Sequence, residues 1–291
     1  MKIKIKKINA FTESMQGGNP AGVVLNSPFL TDYQMRLICK KLKVSETAFI
    51  FPSIIADYNV RFFSSKIEVN LCGHATIATF YAMFKENYFP NRRFISLKQN
   101  TKSGILPVEI YHTKSGIFDK IMMIQKKPVL RNINLDYSEI ADSLNISKIS
   151  INEKLPKQIV TTGLYTLPIC IDSFNIMKKI RPNFKKIKDI CNKYNVGSIH
   201  IFTFDTIESD SIYHARNFAP LYGVNEDPVT GTANGAVCSY LLLNKIISKK
   251  ELICEQGDII KRSGRVYVNL KNNKVRVGGK AKFVEERNFY V

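Results

Sequence analysis

The sequence predicts an α+β fold of two similar halves, each a set of β-strands around one buried central helix. Three observations carry this. Leu71-Cys72-Gly73-His74-Ala75-Thr76 and Val229-Thr230-Gly231-Thr232-Ala233-Asn234 each place Gly-polar-Ala-polar ahead of a wholly apolar helix. An Arg-x-Phe precedes each junction, Arg61-Phe62-Phe63 and Arg216-Asn217-Phe218. Short runs with strand-like patterning fill most of the remainder. One such junction means little; two in matching places argue for a duplicated unit.

Taken in order, Lys2-Ile3-Lys4-Ile5-Lys6 alternates charge with apolar side chains, the period of a half-buried strand. Residues 17–25, GGNPAGVVL, make a tight glycine-proline turn into a second strand. Leu30-Thr31-Asp32 supplies capping chemistry for a helix through about Leu42, with Met35, Leu37, Ile38 and Leu42 on its inner side. Strands follow at 45–52 and 58–64. The helix at 75–84, ATIATFYAMF, is apolar all round, so it belongs in a core. Several β-like runs occupy 94–129, and Gln125-Lys126-Lys127-Pro128 reads as a linker. The division expected is 1–127 and 128–291, with the terminal strand free to return to the first half.

The second half opens with a helix at 138–144, a strand pair at 159–171 and a basic helix at 184–194. A strand at 198–204 leads to the second junction and an apolar helix at 235–243. The tail from 252 reads as strands, with Lys271-Asn272-Asn273 as a turn before a strand at 275–278.

Composition bounds the function. No stretch of ~18 uncharged apolar residues exists, so no membrane helix is expected. The opening MKIKIKKINAFT lacks the apolar core of a signal peptide, and a cytoplasmic enzyme is the expectation. The six cysteines show no paired spacing and read as reduced thiols; the four histidines show no ligand spacing with them, so no metal is expected. Lys and Arg number 43 against 24 acidic residues, a formal charge of +19. That excess could signal nucleic acid, but it is spread along the chain. Its densest run, 177–193, reads as a solvated helix face broken at Pro182, without the aromatic motifs of RNA readers.

The junctions carry the chemistry. A buried helix starting at a glycine turn presents free N–H groups and the positive end of its dipole, which suits a carboxylate. If the reacting carbon is next to that carboxylate, the same field stabilises charge developed on deprotonation. Glu46 stands in an apolar strand, where burial would raise its pKa towards the acid/base range; its plainer alternative is an exposed strand glutamate. His74 sits at a helix start that favours the neutral ring, or is simply a capping residue. Asp227 before Pro228 is a turn former or a site residue.

At these residues the sequence resembles the phenazine-biosynthesis PhzF family, whose fold is diaminopimelate epimerase-like. The matching blocks are Asn9-Ala10-Phe11-Thr12, GGNPAGVVL, SETAF at 45–49, LCGHAT at 71–76, NFAP at 217–220, EDPVTGTAN at 226–234, EQG at 255–257 and VGG at 277–279. The resemblance implies two β-barrel-like halves around central helices, a site in the cleft between them, a homodimer and no cofactor. It implies a small carboxylate-bearing substrate on which Glu46 removes and returns a proton. His74 and Asp227 would polarise or relay. Asn19, Ser45, Thr232 and the amides of Gly73 and Gly231 would hold the carboxylate.

Relatives of this fold that racemise with two thiols place a cysteine at each junction. Here Cys72 fills the first place and Thr230 the second, with Cys238 two turns inside the helix, so that chemistry is not expected. Besides the isomerase, an amino-acid racemase or epimerase using Glu46 and a non-catalytic basic RNA- or polyanion-binding protein are the alternatives.

Overall fold

The computed structural model describes residues 2–27, 29–90, 92–272 and 274–290; Asn273 of the expected turn lies outside them. In chain order the first elements are β1 (Lys2–Ala10), β2 (Asn19–Val24), α1 (Asp32–Leu42), β3 (Glu46–Phe51) and β4 (Tyr58–Phe63). Next come β5 (Glu68–Val69), α2 (Gly73–Lys85), β6 (Phe94–Thr101), β7 (Gly104–His112), β8 (Phe118–Ile124) and β9 (Val129–Asn132). They are followed by α3 (Tyr137–Leu144), β10 (Gln158–Thr161), β11 (Tyr165–Cys170), α4 (Phe174–Lys179), α5 (Phe184–Tyr194) and β12 (Ser198–Thr203). The chain finishes with β13 (Tyr213–Ala219), β14 (Val224–Asp227), α6 (Gly231–Leu243), β15 (Glu251–Gln256), β16 (Gly264–Asn269), β17 (Arg276–Gly279) and β18 (Ala281–Tyr290). Two compact units result, Met1–Ile124 with Gly278–Val291, and Gln125–Val277.

In the first unit β1 pairs antiparallel with both β18 and β2; β2 pairs parallel with β3, β3 antiparallel with β4, β4 parallel with β6, and β7 joins β6 to β8. The second unit repeats the alternation: β10 and β11 antiparallel, β11 and β12 parallel, β12 and β13 antiparallel, β13 and β15 parallel, β15 and β16 antiparallel. The duplication expected from two short motifs is therefore a duplication of topology. The Arg-x-Phe motifs do the same work in each copy. Arg61 on β4 grips Glu68 of β5 with two hydrogen bonds of 2.8 and 3.0 Å and lies over the Phe63 ring. Arg216 on β13 grips Glu226 of β14 at 2.8 and 2.9 Å and lies over Phe218. A planar guanidinium suits such a two-point hold and pins the strand that leads into each central helix.

Each unit wraps its strands around its apolar helix. α2 packs on β1, β2, β3, β8 and β18, and α6 on β10, β11, β12 and β16. Residues 75–83 of α2 and 233–241 of α6 are buried without a break, the burial expected of helices with no polar face. α6 starts at Gly231, four residues before the expected start at Gly235. Asn234 accounts for the difference: its Nδ2 donates back to the Thr230 carbonyl at 2.9 Å and to Gln256 at 2.8 Å, and its Oδ1 accepts from the Tyr213 hydroxyl. The polar stretch thereby becomes a first helical turn.

α1 is capped as expected, Thr31 and Gln34 forming a reciprocal capping box. Its buried stripe is Met35, Ile38, Cys39 and Leu42; Leu37 falls off that spacing of three and four and is half-buried, with Cys39 in its place. The basic run splits into α4 and α5 around Pro182. α5 buries Ile187, Ile190 and Cys191 and leaves Lys185, Lys186 and Lys188 in solvent. Among the described residues no helix is long and apolar enough to cross a membrane.

Candidate active site

Of the six α-helices among the described residues, α1, α3, α4 and α5 carry a side-chain cap on their first amides, while α2 and α6 carry none. The uncapped starts are the two junctions. A helix of thirteen residues whose first turn lacks a side-chain acceptor leaves that role to a ligand or solvent. At Gly73 an added Cβ would meet nothing within 4 Å, so open space lies over the first turn of α2.

Around that turn the first unit assembles Ser45, Glu46, Cys72 and His74. Parallel pairing of β2 with β3 sets Ala21 opposite Glu46, two residues beyond Asn19. Asn19 is buried at the start of β2. The preceding turn needs glycine: Gly18 has φ +65°, and a Cβ there would stand 2.2 Å from the Ala10 carbonyl. Cys72 caps α2 in extended backbone and His74 is its second helical residue. His74 Nε2 lies 3.2 Å from Glu46 Oε2 and 3.3 Å from Ser45 Oγ, while Cys72 Sγ lies 3.5 Å from His74 Nδ1. The Glu46 and His74 side chains are 20% and 11% exposed, shielded but reachable.

This contact reverses two expectations. Burial does penalise the Glu46 carboxylate, but the hydrogen bond and charge of His74, with help from Ser45 and Cys72, outweigh it and hold the group below its ordinary value. Burial likewise opposes a charged His74 ring, yet Cys72 and the Glu46 carboxylate hold its pKa well above that of a free histidine. Both directions are opposite to those the isolated sequence positions suggested, a protonatable acid and a neutral ring. Burial pushes the Cys72 thiol up.

In the second unit Asp227 ends β14 and accepts a hydrogen bond from Thr230 Oγ1. Gly231 and Thr232 form the first turn of α6; Gly231 is buried, Thr232 half-buried, and Thr162 Oγ1 donates to the Thr232 carbonyl at 3.4 Å. The organiser is Gln256, for which no role was expected. Gln256 is fully buried. Its amide oxygen accepts from Thr230 N at 3.1 Å and Asn234 Nδ2 at 2.8 Å, and its amide nitrogen donates to the Asp227 carbonyl at 2.9 Å and Thr230 Oγ1 at 3.1 Å. Gly257 follows with φ +90°, and a Cβ there would strike the carbonyls of Arg262 and Pro228. The signal available was a Glu-Gln-Gly closing an otherwise apolar strand. The two units differ where it matters: β12, the counterpart of β3, begins at Ser198, with no carboxylate in the place of Glu46.

No second thiol stands at the α6 junction. Cys238 is buried inside α6, 3.4 Å from Cys254. His200 is buried against Asn217 and pushed down to about 4 by that burial, which makes it a neutral core residue.

Comparison with known proteins turns this geometry into a class. A Bacillus subtilis protein described as the uncharacterized isomerase YfhB is 35% identical over 289 residues, covering 98% of this chain and 97% of the relative. The uncharacterized isomerase YddE of Escherichia coli is 30% identical, covering 97% and 96%. A crystal structure of the Bacillus anthracis phenazine biosynthesis protein of the PhzF family superposes with a TM-score of 0.91 at 30% identity over the full length of both chains. A hydroxyproline epimerase from Agrobacterium vitis shares the fold alone, with a TM-score of 0.62 at 10% identity over 99% of this chain and 91% of that one. The protein is an isomerase with the epimerase-like fold that the family resemblance implies. It belongs to the phenazine biosynthesis-like protein family, PhzC-PhzF, which matches residues 8–287.

Proposed function

We propose that this isomerase shifts a proton on a small carboxylate-bearing substrate by acid/base catalysis with its own side chains, and that Glu46 is the group that takes and returns the proton. The observation that carries this is the Glu46–His74 pair beside the uncapped start of α2. Glu46 is held ionised, so it is ready to accept a proton. Its lowered pKa makes it a modest base until substrate replaces the surrounding water and weakens its contact with His74. The imidazolium of His74 is a donor that can polarise a substrate oxygen, a stronger part than a neutral ring could play. The amides of α2 supply the field in which charge on the deprotonated substrate is stabilised.

Ser45 and Asn19, with the first amide of α2, would bind the substrate carboxylate. Asp227 would relay, and the Gly231 amide and Thr232 hydroxyl would add donors, which requires the second junction to reach the same substrate. A homodimer accompanies this proposal from the family resemblance and a cytoplasmic location from the sequence reading, and light scattering on the purified chain tests the former. The chemistry is tested by incubating the protein in D2O with a panel of cyclic and amino carboxylates. Deuterium entering a carbon adjacent to a carboxylate is the expected result; its absence across a panel that binds the protein would refute proton transfer.

A further inference from the structure

Residues two apart on a regular helix point away from each other, so Cys72 and His74 meet only because the chain bends between them. Cys72 stands before α2 in extended backbone, with φ −138° and ψ 115°, and the helix begins at Gly73. The bend brings the Cys72 sulfur to 3.5 Å from His74 Nδ1 and 3.7 Å from Nε2. A sulfur in the ring plane at such near-equal distances would collide with the carbon between the two nitrogens. It therefore lies over the ring face, where neither nitrogen can aim a lone pair or an N–H at it. Nε2 meanwhile has Glu46 Oε2 at 3.2 Å and Ser45 Oγ at 3.3 Å. We propose that Cys72 is a positioning residue, whose sulfur packs on the His74 ring and fixes the plane in which Nε2 faces Glu46 and Ser45.

The thiol fits this part as a packing atom rather than as an acid or base. Cys72 is 7% exposed and burial pushes its thiol up, so it stays the weakly polar S–H that packs well on a ring. Its side chain makes no bond to the first amides of α2. The second unit supplies the contrast. There Thr230 stands in the place of Cys72 and Thr232 in that of His74. With no ring to hold, Thr230 is tied instead by its hydroxyl to Asp227 and by its backbone N–H to Gln256. The sulfur accompanies the junction that has the histidine, and a hydrogen-bonding hydroxyl the junction that lacks it. Swinging the ring about its Cβ–Cγ bond carries Nε2 off both partners, and a misplacement of ~1 Å can cost ~10²-fold in the chemical step.

The effect on turnover rests on the roles proposed for Glu46 and His74; the hold on the ring does not. The first test therefore needs no substrate. It is long-range 1H–15N NMR of the full chain, with the His74 signals assigned by their loss in His74→Gln. Cys72→Ala should broaden or split the His74 ring signals and bring their titration midpoint down towards that of a free histidine, leaving His112, His200 and His214 unchanged. Cys72→Val suits extended backbone and returns a methyl group to the ring face, so it should restore the wild-type signals. Cys72→Ser, whose smaller atom seeks hydrogen bonds, should resemble Cys72→Ala. The second test is exchange in D2O, with the fastest-exchanging carboxylate of the panel as probe. Cys72→Ala should lower kcat by ~10²-fold with KM within about threefold, and Cys72→Val should recover about tenfold or more of the loss. The proposal falls if Cys72→Ala leaves the His74 signals as in wild type. It falls also if Cys72→Ser is active where Cys72→Val is inactive, which would give the thiol a proton-carrying part. Altered His74 signals beside undiminished exchange would overturn the part given to His74 in turnover and leave the hold on its ring standing.

Discussion

Replacing Glu46 by glutamine removes the proton acceptor while keeping its size. A general acid/base contributes ~10²–10⁴-fold, or about 3–5 kcal/mol of barrier, and Glu46→Gln should lose at least that much in the chemical step. Two features of the structure place the loss towards the upper end. Ser198 holds the equivalent position in the second unit, so no carboxylate there can substitute. The amide also leaves His74, 11% exposed and 3.2 Å from residue 46, without its carboxylate partner, which removes part of what holds its pKa up. Stranding one partner of a shielded pair should cost about 1–3 kcal/mol of stability, a cost the fold of 291 residues tolerates. The assay is deuterium exchange into a responding carboxylate, followed by NMR at several pH values, beside an unfolding curve and a binding isotherm. Folded Glu46→Gln that binds the carboxylate and exchanges within about threefold of wild type would refute the assignment.

Further outcomes follow from the same geometry. The Glu46–His74 pair should contribute to stability in a bounded pH window. The lowered Glu46 gives a contribution present above its ordinary value near 4.5 and lost as pH falls through the folded value, and the raised His74 one present below 6.5 and lost as pH rises through its elevated value. The stability difference between wild type and Glu46→Gln should therefore peak between these limits, and a difference flat from acid to alkaline pH would contradict the pair. Gly73→Val adds a side chain to open space, so it should leave the fold intact and abolish saturable carboxylate binding, whereas exchanging Lys185 and Lys186 for Gln should alter only salt-dependent surface binding. The opposite pattern in calorimetry would move the binding site to the basic surface. Gln256→Leu strips four buried hydrogen bonds from the 227–234 segment and should cost about 3 kcal/mol or more, with faster hydrogen exchange at Thr230 and Asn234 than elsewhere in the second unit. Uniform exchange across the unit would show that Gln256 does not organise the turn.

Much of the fold was legible because its signals are local. Thr31 with Gln34, Pro182 between two basic segments, and unbroken apolar runs at 75–83 and 233–241 depend on neighbours a few residues apart. The boundary of α6 was misplaced because the bonds that make 231–234 helical come from Gln256 and Tyr213, far along the chain. The same distance in sequence hides Gln256, whose partners lie at Asp227, Thr230 and Asn234.

For the site, the sequence by itself determined which side chains are present and which backbone they sit on: an acid in an apolar strand, and a histidine and a cysteine at the start of a buried helix. It also determined the duplication, since both junctions and both Arg-x-Phe motifs can be read along the chain. Only the tertiary structure decided their charge. Glu46 and His74 are 28 positions apart in sequence, and each considered alone has its ionisation set by burial. Burial disfavours a single charge, whereas the hydrogen bond and opposite charge of a partner at 3.2 Å favour it. The neutral histidine and the raised glutamate pKa expected from isolated positions therefore gave way to shifts in the opposite directions, Glu46 down and His74 up, because the two stand side by side.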